Sequence, residues 1–381
     1  MDIHNHAGRT RAEHGGSTGS GTDNASNPTR VDSGQSRRRF LQLLAIAGAG
    51  AILPAHELLS QEGSAAAGAK GRIDVHHHLL PPFYVKIMQP DIIASGRPLQ
   101  AWSPEMSLDV MEKNGIATAI LSPQNHLVAD SLSDKSDRAR MLARQHNEYA
   151  AQLTKDHPGR FGFFAATPLP DQDASLKEIE YALGTLKADG IGLWTSYRDQ
   201  WPGDPAFAPA FEEMNRRKAV VFFHPAAPLC CRKLLPGVGE NVEEYDFDTT
   251  RAITSLLVNG AFDKYTDIKF VFCHAGGTMP VIVNRISEYF PSKTPDGTSP
   301  NGVRKEISNL YFDVAHAGYE PSLSALTKIV PVSHLMYGSD YPIFNPPVTI
   351  VPLEHYGFSA GDMQGVNRGN AEKLFPRFKQ A

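Results

Sequence analysis

Two histidines in one short segment have the spacing of metal ligands. Residues 73–81 read IDVHHHLLP, an apolar run that ends in three histidines and is then broken by proline. In a β-strand, residues i and i+2 point to the same face, so His76 and His78 project together and His77 projects the other way. Neutral imidazole is a common ligand of zinc and related ions. The pair therefore indicates half of a divalent metal site, with a solvated polar strand end as the alternative.

Further polar residues follow later apolar runs. His224 follows VVFF, His274 follows FVFC, and Asp340 stands in GSDYP just after a short apolar run. A single histidine at a strand end is more often structural than a ligand. Several such ends, however, meet on one axis in a closed barrel of parallel strands. The pattern therefore predicts a metal centre built from four histidines and one aspartate.

The elements that must position these residues alternate along the chain. Eight apolar runs start near residues 73, 117, 161, 190, 219, 268, 310 and 335, and helical segments separate them. The runs are continuous, which is typical of parallel strands buried on both faces. We expect an α/β fold, a (β/α)8 TIM-type barrel. A doubly wound sheet is the alternative, disfavoured by the strand count and by the absence of a Gly-rich phosphate loop. Residues 79–102 and the tail as far as residue 366 are expected to be irregular.

Composition excludes some classes of partner. The chain has 381 residues and a formal net charge of −4, so no basic excess indicates nucleic-acid binding. Its three cysteines do not form a disulfide framework. We expect the adjacent pair Cys230 and Cys231 to be unpaired thiols.

The first 70 residues differ from the rest. Residues 1–35 are polar and Gly/Ser-rich, so we expect residues 1–70 to be a disordered leader and residues 71–381 to form the catalytic domain. Residues 36–42, SRRRFLQ, precede a short apolar run at 43–54, and together they resemble a twin-arginine export signal. The expected partner is the twin-arginine export machinery and the expected location is periplasmic. A non-functional signal would leave the protein in the cytoplasm.

The segments DVHHHLLP, FFHPA, FCHAGG and YGSDYP together resemble the amidohydrolase superfamily. More narrowly they are similar to its metal-dependent nonoxidative decarboxylases, which act on aminocarboxymuconate semialdehyde, 6-methylsalicylate and γ-resorcylate. The resemblance implies an amidohydrolase-like barrel and one divalent ion, zinc or else manganese. The ligands that the resemblance implies are His76, His78, His224 and Asp340. It further implies that His274 is an acid/base beside the metal and that Asp340 serves as both ligand and proton donor.

The same resemblance implies a substrate and an assembly. We expect decarboxylation, with CO2 release, of a hydroxylated aromatic carboxylic acid like 6-methylsalicylate or resorcylate, because residues 105–110 lack the arginine of the muconate-type enzyme. A lactonase-type hydrolase and a binding protein without turnover are the alternatives. Arg285 stands where the family has an arginine that reaches a neighbouring subunit's substrate, which implies a homodimer. Trp194 and His126 are further candidates for substrate contacts. The alternative for Arg285 is a solvated helix residue, and for Trp194 a packing residue.

Overall fold

The strands form one parallel sheet in chain order. The computed structural model describes residues 71–94, 101–123, 136–290 and 302–379, so the leader and signal predicted at residues 1–70 lie outside the described residues. The eight strands pair consecutively from first to last. They are β1 Arg72–Leu79, β2 Ile116–Pro123, β3 Phe161–Ala166, β4 Gly190–Trp194, β5 Val220–His224, β6 Lys269–Phe272, β7 Tyr311–Asp313 and β8 Leu335–Met336. The (β/α)8 prediction is confirmed, and each strand begins within one residue of its predicted position.

Hydrogen bonds between the first strand and the segment that follows the last strand bring the ends of the sheet together. Val75 N–H donates to the Tyr337 carbonyl at 3.0 Å, and Asp340 N–H donates to the His76 carbonyl at 2.8 Å. His78 N–H donates to the Tyr341 carbonyl at 2.7 Å. Closure therefore joins the carboxyl end of β1 directly to the segment that carries Asp340.

Helices surround the strands. They are α1 Pro82–Ala94, α2 Pro104–Lys113, α3 Asp137–Asp156, α4 Gln172–Tyr181, α5 Ala208–Arg216, α6 Glu244–Val258, α7 Ala261–Lys264, α8 Met279–Tyr289, α9 Val303–Ser308, α10 Glu320–Thr327, α11 Pro347–His355, α12 Ala360–Gln364 and α13 Asn370–Leu374. Ser103 and Ser136 cap α2 and α3 by accepting the N–H groups of Met106 and Ala139. Within the described ranges, no helix is long and apolar enough to cross a membrane.

Two segments predicted as irregular contain helices. Helix α1 occupies much of residues 79–102, and α11 and α12 occupy the tail. Pro82 and Pro347 are the first residues of α1 and α11, where proline is favoured because its missing N–H has no partner in the first turn. The prediction of unpaired thiols at Cys230 and Cys231 is also wrong, since the structure joins them by a disulfide.

The barrel interior is apolar below the site. Phe164 and Phe222 stack inside it with ring centroids 4.8 Å apart, and both are fully buried. Phe222 in turn meets the His76 ring edge-on at 5.2 Å. Burying a phenyl side chain stabilises the fold by about 2–3 kcal/mol. The packed floor thus supports the histidines at the carboxyl end of the barrel.

Candidate metal centre

Strand β1 supplies two inward-facing histidines. Its pairing with β2 is irregular between Asp74 and His77. His77 points away from the axis, with Nδ1 3.0 Å from Asp74 Oδ2 and Nε2 2.9 Å from Ser107 Oγ on α2. His76 and His78 point inward, and their rings meet edge to face at 5.1 Å. The two faces expected from the strand period are therefore observed.

Four side chains from three places in the chain meet at the end of the barrel. His76, His78, His224 and Asp340 each offer one ligand atom, and all these atoms lie within 4.8 Å of one another. His78 Nε2 lies 2.8 Å from Asp340 Oδ1, and His76 Nε2 lies 3.4 Å from the same oxygen. The His224 ring centroid is 4.7 Å from that of His78. This group could hold one metal ion.

The donor set fits a divalent cation. Among the described residues, His76 Nε2, His224 Nε2 and His274 Nε2 are buried without a hydrogen-bond partner. An unpaired buried nitrogen costs about 1–3 kcal/mol, which coordination of a cation would recover. Three imidazoles and one carboxylate are a donor set that zinc and manganese both accept.

Partners on the far side of each ring fix how the histidines point. Asp313 Oδ2 lies 2.9 Å from His76 Nδ1, which leaves Nε2 of that ring free for an ion. His224 Nδ1–H donates to the Pro225 carbonyl at 3.0 Å. His78 Nδ1 lies 3.3 Å from Ser122 Oγ. Each ring thus presents its Nε2 to the common centre.

Burial and neighbouring charges set the protonation states. Burial alone would raise the pKa of Asp340, but electrostatic attraction to His76 and the close approach of the His274 and His78 rings outweigh it and hold this pKa well below its usual range. Burial lowers the pKa of His224 well below its usual value. An anionic aspartate and a neutral imidazole are the states that metal ligation requires.

His274 stands beside the four candidate ligands. Its Nε2 lies 3.5 Å from Asp340 Oδ2, and its side chain is 12 % exposed. Its backbone N–H donates to Asp313 Oδ1 at 3.0 Å. One carboxylate, that of Asp313, therefore holds both the His76 ring and the His274 backbone. His274 is placed to exchange a proton with Asp340 or with a bound molecule.

Left-handed backbone conformations collect around this site. His274, Ala275, His316 and Asp340 have φ values of 52°, 56°, 51° and 61°. Non-glycine residues in this region cost of order 1–3 kcal/mol each and persist where the surrounding structure fixes them, commonly at functional sites. All four follow β6, β7 or β8. The strained turns thus aim side chains at the end of the barrel.

The remaining predicted site residues differ in placement. Trp194, at the end of β4, is buried and meets the His224 ring edge-on at 5.8 Å. Arg285 is exposed on α8, and its guanidinium lies 5.6 Å from the Tyr289 ring. Among the described residues, the structure does not bring Arg285 to the ligand group. His126 lies outside the described residues.

Sequence reasoning missed the role of Asp313 and left that of Asp74 open. Asp313 is the last residue of β7, so the strand-end rule that selected the histidines applies to it as well. Asp74 is fully buried and accepts hydrogen bonds from the N–H groups of His76 and Ser339 at 3.1 and 2.9 Å. Asp74 therefore links the backbone of His76 to that of Ser339, the residue just before Asp340.

Comparisons with known proteins agree on one family. A family model described as amidohydrolase matches residues 73–377. A decarboxylase of Penicillium terrestre, macB, is 36 % identical over 328 residues, covering 81 % of this chain and 96 % of that protein. The 6-methylsalicylic acid decarboxylase of Penicillium expansum is 33 % identical over 321 residues, covering 81 % of this chain and 97 % of that protein.

The fold also matches a solved structure. A dihydroxybenzoic acid decarboxylase from Polaromonas sp., solved with bound manganese and the inhibitor 2-nitroresorcinol, superposes with a TM-score of 0.67. It is 20 % identical and covers 81 % of this chain and 97 % of that one. At this identity the likeness concerns the fold.

Proposed function

The chain belongs to the amidohydrolase family, and we propose that it is a metal-dependent carboxy-lyase that decarboxylates a hydroxylated aromatic carboxylic acid without oxidation. The relatives named above that match most of this chain are decarboxylases, one of them of 6-methylsalicylic acid. A 6-methylsalicylate- or resorcylate-like acid is therefore the proposed substrate and CO2 the proposed product.

The proposal depends on one observation: His76, His78, His224 and Asp340 converge, and a further ionisable residue, His274, lies beside them. Three neutral imidazoles and one carboxylate would leave a divalent ion with a net charge near +1, which attracts an anionic substrate. When bound, the ion supplies Lewis-acid polarisation of the substrate's carboxylate and adjacent hydroxyl oxygens. His274, 3.5 Å from Asp340, adds a proton-transfer group at the edge of this group.

The residues of the chain must deliver a proton to carbon. In decarboxylation the electron pair of the breaking C–CO2 bond stays on the ring carbon, which takes up a proton as CO2 leaves. Asp340 and His274 are the groups proposed to hold that proton, and either can deliver it. Both side chains are largely buried, at 7 % and 12 % exposure, so bulk water competes little for the ring carbon. Trp194 is proposed to contact the flat ring, and His126 is proposed as a second contact.

Zinc is the proposed ion. An imidazole-rich set with one carboxylate suits the borderline-soft Zn²⁺, and zinc sites of three histidines or of mixed histidine and carboxylate ligands are common in catalysis. Manganese is the second ion to test, since the Polaromonas decarboxylase carries it. Metal analysis of the purified protein, followed by reconstitution with each ion, distinguishes them. Activity restored by manganese and not by zinc would reject the zinc assignment.

A homodimer is proposed from the outer face of α8. Val281, Arg285 and Tyr289 follow each other at four-residue spacing and share one face, and Val281 and Tyr289 are 75 % and 70 % exposed. Two large apolar side chains flanking an arginine suit a second copy of the chain, to whose substrate Arg285 would reach. Sedimentation of the purified protein tests the dimer, and a monomer at micromolar concentration would contradict it. Arg285→Ala in the dimer is expected to raise KM.

Export is proposed from the leader sequence. Residues 1–70 would carry the twin-arginine signal and residues 71–381 the catalytic domain. Changing Arg37, Arg38 and Arg39 to lysine is expected to leave the protein in the cytoplasm, whereas the unchanged chain is expected in the periplasmic fraction. Equal export of both would reject the signal.

One experiment tests the proposed reaction against its alternative. Metal-loaded protein is incubated separately with hydroxybenzoates, 6-methylsalicylate among them, and with lactones, and products are followed by mass spectrometry. Loss of CO2 from an aromatic acid, with one phenolic product, is the expected result. Lactone opening with no carbon loss from any acid would identify a hydrolase and overturn the proposal.

A further inference from the structure

A buried carboxylate outside the ligand group gathers three hydrogen bonds. Asp248 on α6 is fully buried. Its Oδ2 accepts from Thr195 Oγ1 at 2.5 Å and from Ser196 Oγ at 2.8 Å, and its Oδ1 accepts from Trp201 Nε1 at 2.7 Å. All three donors belong to the segment that follows β4. The carboxylate thus fixes that segment against α6.

The Thr195 hydroxyl extends this network to the next strand end. While donating to Asp248, Thr195 Oγ1 accepts the Ala226 N–H at 2.9 Å. Ala226 follows Pro225, whose carbonyl accepts the His224 Nδ1–H at 3.0 Å. The Thr195 N–H also donates to the His224 carbonyl at 3.0 Å. The two peptide groups that flank Pro225 are therefore both tied to Thr195.

The metal-facing histidines differ in how they are held. The carboxylate of Asp313 bonds directly to the His76 ring. The His224 ring bonds instead to the carbonyl of Pro225, whose position depends on the peptide that Thr195 holds. We propose that Asp248 and Thr195 are positioning residues that orient His224, so that its Nε2 points at the bound ion. Neither residue touches the ion or a substrate in this role.

The threonine allows a nearly isosteric test. Thr195→Val removes the hydroxyl and keeps the shape, and Thr195→Ser keeps the hydroxyl. Thr118→Val is the matched control, because Thr118 is also buried and its hydroxyl bonds to the Gly159 carbonyl near the amino end of β2, away from the ligands. Zinc affinity is measured by competition with a chromogenic chelator, and unfolding is measured separately in urea.

Thr195→Val is expected to bind zinc about 10-fold more weakly than the unchanged protein, as loss of an orienting hydrogen bond around a metal commonly does. Thr195→Ser is expected to restore most of the affinity, and Thr118→Val to leave it unchanged. In the cobalt-loaded protein, Thr195→Val should also shift the visible absorption bands, which report ligand geometry. Asp248→Asn carries the same expectation and the same test if Thr195→Val does not fold.

Lower urea stability of Thr195→Val with unchanged zinc affinity and an unchanged cobalt spectrum would mean that the network only packs the fold, and would overturn the proposal. An equal affinity loss in Thr118→Val would overturn it too. The inference depends on metal binding by the four ligands and not on the reaction. A protein that binds zinc but releases no CO2 therefore contradicts the proposed function alone.

Discussion

Replacing Asp313 by asparagine should weaken metal binding by a route that the structure specifies. The carboxylate accepts three hydrogen bonds: Oδ2 faces His76 Nδ1 at 2.9 Å, and Oδ1 faces the N–H groups of His274 and Ala315 at 3.0 and 2.9 Å. Asparagine of the same shape has only one acceptor oxygen. Its NH2 group must therefore face either the histidine ring or the two backbone donors.

The costs of the two orientations decide which one forms. If the NH2 faces the backbone, two buried N–H groups lose their acceptor, at about 1–3 kcal/mol each. If it faces His76, the ring needs only to move its proton from Nδ1 to Nε2, which costs less. The asparagine should therefore turn its NH2 to His76. The ring then presents N–H, not a lone pair, to the metal position.

The expected result is a loss of zinc affinity of about 10- to 100-fold, equivalent to about 1.4–2.7 kcal/mol. Chelator competition measures it, and urea unfolding of the metal-free protein checks that the fold remains. Asp189→Asn is the control, since Asp189 accepts the Phe163 N–H and pairs with Arg377 just before β4, at the other end of the barrel. Folded Asp313→Asn protein with zinc affinity within about twofold of the unchanged chain would refute the argument.

Three further changes test separate parts of the site and the fold. His274→Ala should keep its metal and lose at least about 100-fold in kcat for CO2 release, and full activity in this variant would remove the residue from catalysis. His78→Ala should lose most of its zinc on dialysis, and full occupancy by metal analysis would show that His78 is not a ligand. Burial lowers the pKa of His146 on α3 to about 4, so the folded protein keeps the ring neutral while the unfolded chain takes up a proton below pH 6.5. Stability should therefore fall as the pH drops from about 6.5 towards 4, by about 2 kcal/mol at pH 5. His146→Leu should remove that part of the pH dependence in urea unfolding, and an unchanged dependence would contradict the assignment.

The strands were predictable because their burial leaves a plain sequence signal. Strands such as VVFF before His224 are enclosed on both faces and consist of continuous apolar residues, so their starts were placed within one residue. The convergence of His76, His78, His224 and Asp340 followed from barrel geometry once the strand ends were known. Helix α1 was missed because prolines at 81 and 82 were interpreted as breakers, whereas proline also begins helices.

The hydrogen-bond partners around the candidate metal site were harder to predict, because they are distant from each other in the chain. Asp313 and His76 are 237 positions apart in the chain, and Asp248 and Thr195 are 53 positions apart. The sequence around a buried aspartate in a strand or helix does not indicate which distant residue donates a hydrogen bond to it. Only the folded barrel reveals which ring or hydroxyl each carboxylate meets.

The most direct test of the central claim joins metal content to carbon loss in one preparation. The purified protein is assayed for zinc and then incubated with 6-methylsalicylate and dihydroxybenzoates carrying a ¹³C-labelled carboxyl group, before chelation, after chelation and after zinc is restored. We expect close to one zinc per chain, labelled CO2 from at least one acid, loss of release on chelation, and recovery with zinc. Labelled CO2 that forms equally in the chelated protein, or no release from any acid at full metal occupancy, would contradict a metal-dependent decarboxylase.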